Sequence, residues 1–130
     1  MANVVDRARK TLDARGVAFD AAEDRIAVPA ADVGGFDVTL RVVEPRKFLV
    51  SYEGWFETFG RAEDAYDCFE YGLSDSCRLR ITFRGRTAVA WQIEKRDYGV
   101  WMPGRAVRRR LAPFWRKAHI ERRQNQVFKS

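Results

Sequence analysis

The thiols and imidazoles of this chain are few: Cys68, Cys77 and His119. Nine residues separate the two cysteines, with no Cys-x-x-Cys and no histidine nearby, so the spacing makes no metal-ligand set. Both sit on apolar phases of their segments, where burial raises a thiol's pKa and leaves it inert. They are expected as small buried hydrophobes. A Cys–His pair would need His119 to return from the far end of the chain, and no serine lies in a Gly-x-Ser-x-Gly elbow. Glu63, Asp64 and Asp67 share one acidic segment and read as a solvated face rather than a general acid–base pair. Gly34-Gly35 has no following Gly-Lys-Ser/Thr, and nothing matches Gly-x-Gly-x-x-Gly, so no phosphate-cradling loop is expected. These residues predict no catalytic group, no metal site and no cofactor: the chain reads as a non-enzyme.

The side chains with chemistry to offer are arginines. Arg105, Arg108, Arg109, Arg110, Arg116, Lys117, Arg122 and Arg123 interleave with Phe114 and Trp115 near the C-terminus. Guanidinium forks match phosphate geometry and aromatic rings stack on bases, so nucleic acid is a physically sound partner for Arg105, Arg108, Arg109, Arg110, Trp115, Arg116, Lys117, Arg122 and Arg123. An anionic membrane surface would suit the same composition and ranks below it. The net charge of +6 is unevenly spread. Residues 1–103 hold 15 basic and 17 acidic side chains, whereas residues 104–130 hold nine basic side chains and one acid, Glu121. Residues 61–75 alone carry five acids against Arg61, an electrostatic complement for the arginines within one chain or across to a second copy. Glu63, Asp64 and Asp67, with Trp101, are therefore the expected interface residues.

These groups must be positioned by the elements around them. The chain is 130 residues long and 46% hydrophobic, enough for one compact domain with a real core. The central stretch runs from Arg61 to Phe83: Ala62, Ala65/Tyr66, Phe69 and Leu73 recur at helical spacing, Gly72 marks the end, and Cys77, Leu79, Ile81 and Phe83 alternate as a strand. Before it, residues 3–15 predict a helix with Val5, Ala8 and Leu12 on one face and Gly16 as its stop. Residues 17–24 are a connector. Strands follow at Arg25–Val28, Phe36–Val42, Lys47–Tyr52 and Trp55–Phe59, joined by turns short enough to force antiparallel neighbours. After Phe83, Arg84-Gly85 predicts a hairpin loop into a strand over residues 87–94, and Lys95–Tyr98 a polar connector.

A boundary is expected at Trp101-Met102-Pro103-Gly104, separating a domain over 1–103 from a basic segment over 104–130 docked on it. Within that segment residues 105–111 suit helical turns, and residues 114–121 lean towards a strand. The fold class is α+β: an antiparallel sheet with two helices on one face, in the order α-β-β-β(-β)-α-β-β plus the basic C-terminal segment. Its other face is expected to show Arg41, Lys47, Arg78, Arg80 and Gln92. No apolar run approaches the ~18 residues of a spanning helix and no secretory leader is evident, so a soluble cytoplasmic protein is expected. Arginine outnumbers lysine 19 to 5, a bias typical of a GC-rich bacterial genome.

The order helix, three strands, helix in residues 1–73 resembles the layout of the double-stranded RNA-binding domain. That family places lysines at the start of its second helix to bind phosphates. Here the position reads Arg61-Ala62-Glu63-Asp64, which repels them, and the family's function is not carried over. The function expected first is a small binding or assembly protein acting through protein–protein contacts, including contacts with its own copies. The alternative is nucleic-acid binding through the arginine-rich segment, and a third is a small-molecule pocket built from Tyr52, Trp55, Phe59, Tyr66, Tyr71, Trp91, Tyr98 and Trp101.

Overall fold

The computed structural model describes residues 3–110 and 113–128. In chain order the elements are α1 (Val4–Ala14), β1 (Asp20–Ala21), β2 (Arg25–Val28), β3 (Val38–Glu44), β4 (Lys47–Tyr52), β5 (Trp55–Phe59), α2 (Ala62–Leu73), β6 (Cys77–Arg84), β7 (Thr87–Asp97), β8 (Val100–Arg108) and β9 (Ala118–Gln124). The fold is α+β. Its strands make two antiparallel sheets rather than one, in the orders β1-β2-β3-β4-β5 and β8-β7-β6-β9.

Both helices lie on the five-stranded sheet, α1 against β2 and β3 and α2 against β3, β4 and β5. The N-cap of α1 is Asn3, whose side chain accepts from the Asp6 N–H at 2.9 Å. Its end is a Schellman motif: Gly16 takes φ +66°, its N–H reaches the Asp13 carbonyl, and the Val17 N–H reaches that of Leu12. Alternation along β3 and β4 turns Val38, Leu40, Phe48, Val50 and Tyr52 into the core, where they meet Val5, Ala8, Leu12, Ala65 and Phe69 from the helices. Gly72 lies inside α2 and serves packing rather than termination. A Cβ there would stand 2.2 Å from the Tyr52 ring, so the glycine lets helix and sheet approach.

The second sheet joins the first along β5, which abuts β7 and β8. Trp55 donates its indole N–H to the Arg105 carbonyl at 3.1 Å, and Gly54 lies so close beneath Trp91 that a Cβ would enter the indole. The segment after β9 closes the other side of the junction. Asn125, 7% exposed, accepts from the Phe36 N–H (3.1 Å) and donates to the carbonyls of Phe36 and Gly72 (both 3.0 Å). One side chain thereby ties the C-terminal segment to the first sheet and to α2.

The structure revises the sequence reading most in the basic third. Residues 95–97 belong to β7 and residues 100–108 to β8, so the expected connector, the boundary at 101–104 and the helical turns over 105–111 give way to a continuous hairpin as far as it is described. The turn is Tyr98-Gly99, with φ +50° and +77°: a primed two-residue turn whose first left-handed position holds a tyrosine instead of the usual asparagine or aspartate. Pro103 is tolerated because β8 is an edge strand and the register shifts between Gln92 and Glu94. The preceding hairpin loop is Gly85-Arg86 rather than Arg84-Gly85, with Gly85 at φ +63° and Arg84 paired to Thr87. The last strand begins at Ala118, after a turn carrying Phe114 and Trp115, and the connector over 17–24 contains the two-residue β1.

Candidate functional site

The C-terminal arginines are parts of a sheet. Alternation in β6 sends Cys77, Leu79 and Ile81 inward and Arg78, Arg80, Thr82 and Arg84 outward. The register then assembles the outer face row by row. Arg78 lies opposite Glu94 and Gln124, Arg80 opposite Gln92 and Arg122, Thr82 opposite Ala90 and Ile120, and Arg84 opposite Thr87 and Ala118. Beyond β7, Arg108 pairs with Ala90 and Trp101 with Arg96. Six guanidiniums, those of Arg78, Arg80, Arg84, Arg96, Arg108 and Arg122, thus share one face, on which the strand pairs place, among the described residues, the one carboxylate of Glu94. The sequence predicts Arg78 and Arg80 on an exposed sheet face; the turn at 98–99 makes β7 and β8 a hairpin that adds Arg96 and Arg108 to it.

The charges are compensated at one end of the face. Glu94, nearly buried, accepts from Arg78 Nε at 2.8 Å and Arg122 Nε at 3.3 Å. Arg96 pairs with Asp75 at 3.5 Å. The ring of Trp101 lies under two guanidiniums, with Arg78 at 4.3 Å and Arg96 at 5.7 Å from its centroid. A cavity of about 560 Å³ opens beside this cluster, between the loop at 28–35 and the Arg78, Arg122 and Asn125 side chains. The other end is uncompensated: Arg80, Arg84 and Arg108 make no ion pair with any described residue, and the buried Nε of Arg80 has no hydrogen-bond partner. Next to Arg84, a second cavity of about 530 Å³ is lined by Arg86, Pro113, Trp115 and Arg116.

Among the described residues, no ion pair joins Glu63, Asp64 or Asp67 to a C-terminal arginine. Glu63 binds Arg7 of α1 at 2.7 Å, and Asp64 and Asp67 are exposed on α2 without a described arginine partner. Arg105 lies 3.8 Å from Glu57, Arg122 joins Glu94, and Arg123 lies 3.5 Å from Glu121. Arg109 and Arg110 follow β8 as exposed residues, and Lys117 precedes β9 with its carbonyl accepting from the Gly85 N–H. Phe114 and Trp115 are 78% and 71% exposed, so neither ring is spent on the core.

The thiols and the histidine are not brought together. Cys68 and Cys77 are free; Cys77 is buried in the core near Tyr71 and Cys68 is partly buried against it beside Tyr52, and burial pushes the Cys68 thiol up to about 11 and the Cys77 thiol higher. Tyr52 donates its hydroxyl to the Cys68 carbonyl and is itself held protonated by burial. His119 stacks on Phe83, ring centroids 5.0 Å apart, on the second sheet. Tyr52, Trp55 and Tyr66 fill the core, and Tyr52 and Trp55 stack at 4.6 Å. No helix among the described residues is long and apolar enough to cross a membrane. The chain matches no protein-family model, no curated protein and no solved structure.

Proposed function

We propose that this protein binds nucleic acid on the outer face of its four-stranded sheet. The observation that carries the reading is the co-facial placement of Arg80, Arg84 and Arg108 without carboxylate partners among the described residues, continuing into Arg86 and Arg116 at the hairpin end. A solvated charge run would scatter its arginines around a structure or pair them with local acids. Here the strand register gathers them on one side, while the acids of α2 stay with the helices on the other sheet. Phosphates neutralised along such a face release the counterions condensed on the nucleic acid, and the affinity gained in this way falls with salt.

The test is anisotropy of a labelled 20-nucleotide oligo-dT between 25 and 300 mM salt. Five uncompensated cations, at a slope of about −0.7 per phosphate neutralised on a single strand, give a log–log slope of about −3.5. Arg80→Ala with Arg108→Ala is expected to reduce it to about −2. No binding at 25 mM salt, or an unchanged slope in the double variant, overturns the reading. Binding to vesicles containing anionic lipid but not to oligonucleotide would assign the face to a membrane surface instead.

Self-association is a second reading, favoured by a separate observation. Tyr98, Val100 and Met102 are exposed at the tip and start of the edge strand β8, where backbone groups of a second copy would find a strand to extend. Sedimentation velocity across a concentration series decides it, and a monomer throughout excludes it.

A further inference from the structure

We propose that the cleft beside the β6–β7 hairpin is a base-stacking subsite that makes the protein prefer single-stranded nucleic acid, with Trp115 as the stacking ring and Arg84, Arg86 and Arg116 as its anion partners. The inference rests on the nucleic-acid reading of the arginine face and adds to it the form of the ligand.

Three observations converge on this cleft. The first is chemistry: about 530 Å³ of space bordered by three guanidiniums and an indole, with no carboxylate among its described lining residues. That volume lies within the range of small-molecule pockets, about 300–1,000 Å³. The second is order. The Trp115 turn is fixed to the hairpin by hydrogen bonds from Gly85 N–H to the Lys117 carbonyl (3.1 Å), from Arg84 Nη1 to the Arg116 carbonyl (3.3 Å) and from Arg116 N–H to the Pro113 carbonyl (2.9 Å). The alkyl chain of Arg116 crosses the open side of Gly85, where a Cβ would stand 3.5 Å away. The third is the ring itself. Trp115 and Phe114 meet in a T-shaped contact, centroids 5.4 Å apart and planes at 82°, which steadies both rings while leaving each largely exposed. A large indole held in place yet 71% exposed, amid cations, suits a π-faced anion.

Geometry also argues against a duplex. Four strands about 4.8 Å apart span roughly 14 Å between the outer strand axes, before side chains are added. The major groove is about 12 Å wide and admits a helix or a two-stranded ribbon. A duplex would therefore meet this face only through its phosphates, and its stacked bases would be closed to Trp115. An unpaired strand can place phosphates along Arg80, Arg84 and Arg108 and turn one base into the cleft.

Three 20-nucleotide probes separate the contributions: oligo-dT, the same strand with abasic sites throughout, and a duplex. The wild type is expected to bind oligo-dT roughly 5- to 150-fold more tightly than the abasic strand, the range of one stacked base. Trp115→Ala should bring that ratio close to one while leaving abasic affinity unchanged, and Trp115→Phe should keep part of it. The position is exposed, so loss of fold is not expected from either variant, and circular dichroism verifies it. Equal affinity of the wild type for oligo-dT and abasic strand, a Trp115→Ala variant that weakens both alike, or duplex bound as tightly as oligo-dT each overturns the subsite while the arginine face stands. Failure of all three probes at 25 mM salt removes the face and the subsite together.

Discussion

Replacing Asn125 by alanine is expected to be the most damaging single change outside the apolar core. Three backbone groups from distant parts of the chain depend on this side chain: the Phe36 N–H, the Phe36 carbonyl and the Gly72 carbonyl. Asn125→Ala removes three hydrogen bonds, each with a net value of about 1 kcal/mol, and leaves the three backbone groups without their side-chain partner. The expected loss is about 3–5 kcal/mol. Asn125→Asp should cost at least as much despite its near-identical shape, because a carboxylate cannot donate to the two carbonyls and places three acceptors against one another. Urea unfolding followed by tryptophan fluorescence measures this, with the midpoint falling at constant slope if only stability changes. A loss below about 1 kcal/mol for both variants would refute the claim that Asn125 locks the C-terminal segment to the first sheet. A fall in slope as well would mean that residues 125–128 detach before the rest unfolds. Gly35 gives an independent check, since a Cβ there would stand 2.7 Å from the fixed Asn125 Oδ1, and Gly35→Ala should destabilise through the same bridge.

Glu94→Gln should weaken the fold and tighten polyanion binding together. It removes the one carboxylate from the outer face and leaves Arg78 and Arg122 with a neutral acceptor, steepening the salt slope for oligo-dT by about 0.7 per charge gained. Weaker binding in this variant would mean that Glu94 positions the ligand rather than neutralising the arginines. The core thiols should be slow to alkylate: with Cys68 raised from 9.0 to about 11, its thiolate is about 100-fold scarcer at pH 8 than in the unfolded chain. The same shift sets a sign for stability. The fold favours the protonated thiol, so this contribution is complete below pH 9 and is lost as the pH rises from 9 towards 11. Iodoacetamide labelling at pH 8 that is as fast in the native as in the urea-unfolded protein would show that the thiol is not enclosed.

The order of helices and most strands was legible because single residues carry the pattern. Val5, Ala8 and Leu12 repeat at helical spacing, and Phe48, Val50 and Tyr52 alternate, so both helices and the longer strands of the first 84 residues announce their own periods, whereas the two-residue β1 is too short to have one. The long β7–β8 hairpin was not, for a local reason and a tertiary one. Its turn places Tyr98 in a left-handed conformation that sequence preferences assign to asparagine or glycine. Its edge strand carries exposed Val100, Met102, Arg105 and Arg108 without strict alternation, because one side of β8 meets little but solvent. Composition identified the basic residues and missed the face, since Arg78, Arg80 and Arg84 precede the basic segment by some 20 residues and join it only through the pairing of β6 with β7 and β9.

That difference changes what the arginines can do. On a flexible tail, each cation would have to be ordered on binding, and the entropy lost would offset much of the Coulombic gain. On a hydrogen-bonded sheet the Cα positions are set in advance, and only the side-chain ends remain to be ordered. The distribution of counter-charge then directs the ligand. At the Trp101 end, Arg78, Arg96 and Arg122 are occupied by Glu94 and Asp75, and their role is to hold β6, β7 and β9 and the segment before β6 in register. From Arg80 to the hairpin no described acid pairs with the arginines of this face, over about four residues of strand, or some 13 Å at 3.3 Å per residue. A bound strand should therefore lie over the hairpin half of the face, with its phosphates on Arg80, Arg84 and Arg108. Substituting Arg78 should chiefly lower stability, whereas substituting Arg84 should chiefly lower affinity. If the two variants showed the reverse, the compensated end of the face would be the binding site, and the division drawn from Glu94 would fail.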